Sequence, residues 1–139
     1  MKRKHLLLLV LVLALTVVFF YQTNPQRHAE RFVSMYADQI QRSIESGDGV
    51  PENLGCLDVN QWLGDQPMTE FLLSGWGIGS GKHYYGCYYS PNDVPLPFQN
   101  APVPLTQSGD GCWKWQGDGD NHGSTRKLRD YWYYFEASF

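Results

Sequence analysis

The stretch "DYWYYFEASF", residues 130–139, decides the fold class. Tyr131, Tyr133, Phe135, Ala137 and Phe139 fall on one side of an extended chain. Trp132, Tyr134, Glu136 and Ser138 fall on the other. Alternation at period two in an aromatic run marks a strand of an antiparallel sheet. Upstream, "CWKWQ", residues 112–116, repeats the pattern, with Trp113 and Trp115 on one side and Lys114 on the other. The two segments are expected to pair across the connection "GDGDNHG", residues 117–123. The odd-numbered face of the last strand is expected to lie against a helix. Its even face is either open to solvent or covered by a proline-rich loop.

The helix is easily found. Asn24 followed by Pro25 is an N-cap with proline at the first helical position. Ala29, Phe32, Val33, Tyr36, Ala37, Ile40 and Ile44 then recur at helical spacing, giving an amphipathic helix of about five turns that stops before Gly47-Asp48-Gly49. Between helix and C-terminal pair, "GCLDVNQWL" (55–63) and "KHYYGCYYS" (82–90) read as strands, and Glu70–Leu73 as a strand or short helix. Trp76 and Ile78, in the glycine-rich stretch that follows, are expected to dip into the core. Pro91, Pro95, Pro97, Pro102 and Pro104 make residues 91–111 a long loop or edge segment. The expectation is an α+β fold: an amphipathic helix on an antiparallel sheet of about four strands. Cystatin-like and pilin-like arrangements both fit it. The pilin version lacks a glycine cleavage point and an acidic residue within its apolar run.

That run is "LLLLVLVLALTVVFFY", Leu6–Tyr21, preceded by Lys2, Arg3 and Lys4. A basic flank before an apolar core is an export signal, and no small-residue cleavage site follows it. The expected organisation is a cytoplasmic flank (1–5), a transmembrane signal anchor (6–21) and one extracytoplasmic domain (22–139), oriented by the positive-inside rule. The run covers roughly 24 Å against a hydrocarbon core of about 30 Å. Snorkelling basic side chains and an interfacial Tyr21 are expected to close the gap.

From residue 22 onward, eight Lys/Arg face fourteen Asp/Glu. That balance argues against nucleic acid as a partner. Cys56, Cys87 and Cys112 are an odd set. An oxidising exterior permits one disulfide, with Cys87–Cys112 the favoured pair, or three buried free thiols. Their spacing is not that of a metal site.

Several motifs fail on inspection. "SGWGIGSGKH", residues 74–83, has Trp76 where a phosphate loop needs glycine, and His83 where it needs Ser or Thr. "STRK", residues 124–127, matches S-x-x-K without its companion motifs. Asp118 and Asp120 would occupy the first and third positions of an EF-hand, but Arg129 stands where the bidentate Glu must be. A looser calcium site on Asp118, Asp120 and carbonyl groups stays open, and no other cofactor is implied. Glu136, mid-strand among aromatics, is a candidate acid or a cross-strand partner of Lys114. Trp132 and Tyr134, if exposed, could stack on a sugar or anchor a protein. The functional expectation is a membrane-anchored, non-catalytic binding module of the cell envelope, with an envelope protein or glycan as partner. A small envelope hydrolase using Glu136, His122 or the loop acids is one alternative. A structural subunit of a surface assembly is another.

Overall fold

The computed structural model describes residues 3–22, 24–79 and 81–139. Two helices, α1 (Arg3–Gln22) and α2 (Pro25–Glu45), precede a seven-stranded antiparallel sheet. Its strands are β1 (Asp58–Trp62), β2 (Met68–Ile78), β3 (Gly81–Tyr89), β4 (Thr106–Gly109), β5 (Cys112–Gln116), β6 (His122–Arg129) and β7 (Trp132–Ser138), in the order β1-β2-β3-β7-β6-β5-β4. The class is α+β, but the expected four strands are seven. The fuller sheet replaces the four-stranded cystatin-like or pilin-like arrangement. The three unexpected strands are β2 in its full length, β4 and β6. Each lacks a regular apolar alternation: β2 runs into glycines, while β4 and β6 are polar.

The anchor is also corrected. Among the described residues no single helix is long and apolar enough to cross a membrane. The apolar run is the reason, since about 16 residues rise only roughly 24 Å. Instead α1 and α2 form a pair bent by 60°. The roles expected of Lys2, Arg3, Lys4 and Tyr21 rest on side chains outside the described residues.

Helix α2 forms where its signals lie. The Asn24 side chain accepts the Arg27 N–H at 3.1 Å and satisfies one of the orphan donors of the first turn. Ala29, Phe32, Val33, Ala37 and Ile40 are buried against Phe71, Leu73, Cys87, Tyr89, Trp132 and Tyr134. The helix therefore covers the even-numbered face of β7, opposite to expectation. The odd face, with Tyr133, Phe135 and Ala137, packs under the proline-rich segment 91–105, together with Leu96, Phe98, Met68, Tyr88 and Trp115.

That segment works as a strap. The Leu96 N–H donates to Tyr88 Oη at 2.8 Å, and Tyr133 Oη donates to the Asp93 carbonyl at 2.9 Å. Asp93, at φ 51°, also accepts the Tyr131 N–H at 2.8 Å and pairs with Lys127 Nζ at 2.7 Å. Burial works against its charge, yet Lys127, the Tyr131 N–H and Tyr133 Oη hold the Asp93 carboxyl below the usual range. Phe98 stacks on Tyr84 with 12° between the ring planes.

The strap's other tie is Glu70, which is fully buried. Its Oε2 accepts the Gln99 N–H at 2.9 Å, while Oε1 has no hydrogen-bond partner. Burial raises its pKa from 4.5 to about 7, opposed by the Gln99 bond and the nearby Asn60 amide. Between those two values the folded chain holds a proton that the unfolded chain has released. Stability therefore falls as pH rises from 4.5 to about 7 and stays lowered above. Glu70→Gln keeps an acceptor for Gln99 and removes the charge. Urea unfolding should find this variant more stable than wild type by roughly 1–3 kcal/mol at pH 8, with most of the difference gone at pH 5. An equal difference at both pH values would contradict this account.

Candidate functional site

Strand register builds the site. Side chains of directly opposed residues in an antiparallel sheet share a face. Lys114 on β5 opposes Ser124 on β6, which opposes Glu136 on β7. Tyr134, two residues before Glu136, lies under α2, so this row belongs to the helix-covered face. The helix stops short of it. Lys114 and Glu136 are exposed and Ser124 is half-buried. With the small Ser124 between the two long side chains, the row has a low floor and two charged walls. The neighbouring row, Gln116–His122–Ser138, lies toward the β5–β6 turn. The next row the other way is Cys112–Arg126–Tyr134.

The result is a groove on the sheet. A cavity of 450 Å³ is lined by Thr106, Lys114, Gln116, His122, Glu136 and Ser138 among others. A second, of 200 Å³, shares Lys114, Ser124 and Glu136 and continues to Arg126 and Gln26. Three rows at two-residue steps make the groove roughly 13 Å long. Its polar ends are already organised. Arg126 donates to Gln26 Oε1 at 3.0 Å and to Cys112 Sγ at 3.2 Å. Tyr134 Oη donates to Glu136 Oε1. Burial, then the adjacent carboxylate, pushes the Tyr134 hydroxyl far above the usual tyrosine range, so it stays a donor. His122 Nδ1 lies 2.7 Å from the Asp120 carbonyl. A carbonyl accepts only, so Nδ1 carries the proton of this contact and Nε2 is left to face the groove.

The expected site residues are distributed unevenly over this surface. Glu136 lines the groove. Lys114 makes no ion pair with it, because Ser124 separates them by a full strand. Trp132 is fully buried and Tyr134 only 5% exposed, both against α2, so they form no open aromatic patch. Asp118 and Asp120 sit in the β5–β6 turn, where carbonyl oxygens that a loose calcium site would borrow are engaged. Gln116 Nε2 donates to those of Gly119 at 3.1 Å and Asn121 at 3.0 Å, and His122 to that of Asp120. Among the described residues, no group of three or more His, Cys, Asp or Glu is placed to hold a metal. All three cysteines are free. Cys87 and Cys112 stand at the two ends of the row Cys87–Tyr134–Arg126–Cys112, three inter-strand steps apart. That is roughly 14 Å, twice what a disulfide bridges. Ser138 and Gln116 were not singled out from the sequence, and Ser124 and Arg126 were met only in the rejected S-x-x-K match. They become neighbours of Glu136 only through the pairing of β5, β6 and β7.

The chemistry on offer is recognition of both charge signs plus hydroxyl and amide hydrogen bonding. Among the described residues one serine–histidine contact is seen: Ser138 Oγ lies 2.8 Å from His83 Nδ1. His83 is stacked on Trp76 at 5.5 Å. Comparison of the chain with family models, with curated proteins and with solved structures found no match.

The thiols are open to a direct test. Cys87 is completely buried, while Cys56 and Cys112 are partly exposed. Mass spectrometry after alkylation without reductant should show two modified cysteines in the native protein and three in urea. A wild-type protein that resists alkylation at Cys87 even when unfolded would contradict the free-thiol arrangement.

Proposed function

We propose that this protein is a non-catalytic binding domain of the cell envelope, held at a membrane by its apolar N-terminal segment. Its groove takes a short peptide carrying charges of both signs. The observation that carries the reading is the Lys114–Ser124–Glu136 row. An ammonium and a carboxylate face each other across a small, hydroxyl-bearing floor, inside a 450 Å³ cavity. A ligand with complementary charges would replace the water on both walls and meet a fixed donor at Arg126. Few aromatic faces are open in this groove, which favours a peptide over a sugar ring.

Support for the membrane is the character of α1. Leu7 is 70% exposed and Leu13 67%, and the apolar side chains run round the whole helix. A helix apolar on every side is stable only when buried in something apolar.

A hydrolase is the second reading, favoured by one observation: Glu136 and His122 line the same cavity. Glu136→Gln should then abolish turnover of whatever substrate is found, rather than weaken its binding.

The leading reading is tested by selecting a displayed random peptide library on the full-length protein. Wild type should enrich peptides with neighbouring acidic and basic residues. Ser124→Trp fills the floor of the groove and should weaken their binding at least tenfold, as should Lys114→Ala combined with Glu136→Ala. Equal enrichment on wild type and Ser124→Trp would refute the groove as the binding site.

A further inference from the structure

The glycine-rich hairpin end, rejected as a phosphate loop, has a different character in the structure. Trp76 stands opposite His83, which pairs with Ser138 of β7, and the β2–β3 hairpin runs on two residues past that row to Ile78, opposite Gly81. Trp76 is 53% exposed and Ile78 96%, so neither dips into the core as expected. Both face the same way, being two residues apart on a strand. Outside α1, the large exposed apolar residues described are Met35, Leu57, Leu63, Trp76, Ile78 and Tyr131. Trp76 and Ile78 are the one pair among them that is adjacent on a face. Leaving these apolar surfaces in water at the end of the hairpin costs free energy: His83 and Tyr85 cover only part of Trp76, and Ile78 is left open.

What lies beside them is the start of α2. His28, in its first turn, contacts Tyr85 Oη through Nδ1 at 3.0 Å. Tyr85 in turn packs edge-on to Trp76 at 5.9 Å. From Tyr85 the hairpin continues four residues to Gly81, roughly 13 Å. From His28 back to Pro25, where α2 begins, the rise is roughly 4.5 Å. The hairpin end and the start of α2 therefore lie at the same end of the domain.

We propose that the β2–β3 hairpin end is a second membrane contact, resting in the interface of the same bilayer that holds α1, with Ile78 inserted and Trp76 at headgroup depth. The inference rests on the membrane tethering proposed above. Tryptophan favours that depth because its ring is apolar and its N–H needs a wet partner. Insertion stays shallow, because the end of a hairpin has backbone groups that need water. Gly77 keeps the tip narrow. At Gly77, φ is 136° and a Cβ would meet the Gly81 carbonyl at 1.9 Å, so only glycine allows this close pairing. The surface is a zwitterionic one. Asp118 and Asp120, in the β5–β6 turn, lie at the same end of the sheet and would be repelled by an anionic one.

The test uses the full chain in phosphatidylcholine vesicles whose acyl chains are brominated near the headgroup, which quenches tryptophan at that depth. Helix α1 contains no tryptophan, so it contributes no signal. Flotation with the vesicles is measured first, then quenching. Wild type should float and lose more fluorescence than Trp76→Phe. Ile78→Asp, at a position that supports no packing, should float and cut the Trp76-dependent quenching by at least half. If the protein floats but wild type and Trp76→Phe are quenched equally, the hairpin contact is wrong and the tethering stands. If the protein does not float, the tethering is wrong and the contact falls with it.

Discussion

Strand β7 has no solvent face over most of its length, and the rest of the structure follows from covering it. Trp132, Tyr133, Tyr134 and Phe135 are consecutive and all buried. Burying alternate residues needs one layer against the sheet; burying consecutive ones needs two. Helix α2 supplies the first. The second cannot be another helix, since the chain between β3 and β4 is studded with prolines, so it is an irregular strap. An irregular layer leaves backbone groups that must be paired. Tyr88, Glu70 and Tyr133, which meet the Leu96 N–H, the Gln99 N–H and the Asp93 carbonyl, are the partners that the strap's covering role requires. Thr125 supports Tyr88 from beneath, with Tyr88 Oη at 2.7 Å, and donates to the Tyr134 carbonyl at 3.0 Å.

Close approach to this central strand also sets where side chains must be absent. A Cβ at Gly86 would meet the Phe71 carbonyl at 2.0 Å and the Phe135 ring at 2.9 Å. A Cβ at Gly123 would meet the Glu136 carbonyl at 2.4 Å and the Trp115 ring at 2.5 Å. The aromatic rings lie flat over these glycines and fill the space that a side chain would have taken. Trp115 is thereby held on the strap side, leaving the opposite side of β6 to the groove.

Helix α2 was legible because each of its signals is local: a cap, a proline, a stripe. The existence of β7 was legible for the same reason. Its orientation was not, because aromatics on both faces carry no information about which face a helix takes. Strand β6, "HGSTRKLR", was invisible for a more instructive reason. One of its faces lines a wet groove and the other buries only Thr125, so it has no apolar alternation to find. The feature that hid the strand is the feature that makes the site. Glu136 could be singled out alone, as a charge among aromatics. That Ser124 stands between it and Lys114 could not be read, because a register between strands is a property of the folded sheet. Trp76 and Ile78 misled in the opposite direction: large apolar residues imply burial only where the fold brings something to bury them.

The order β1-β2-β3-β7-β6-β5-β4 bears on how the chain reaches this state as it is made. Strands β1 to β3 form one meander and β4 to β6 another, each from neighbours in sequence. Neither meander touches the other across the sheet until β7, which follows both in the chain, is laid between them. Closing β3 against β7 brings together residues about fifty positions apart, a slow step set by loop entropy. Until then, both meanders present an unpaired edge. A chain synthesised in this order stays unfinished, and open to capture by chaperones, until its aromatic segment has emerged.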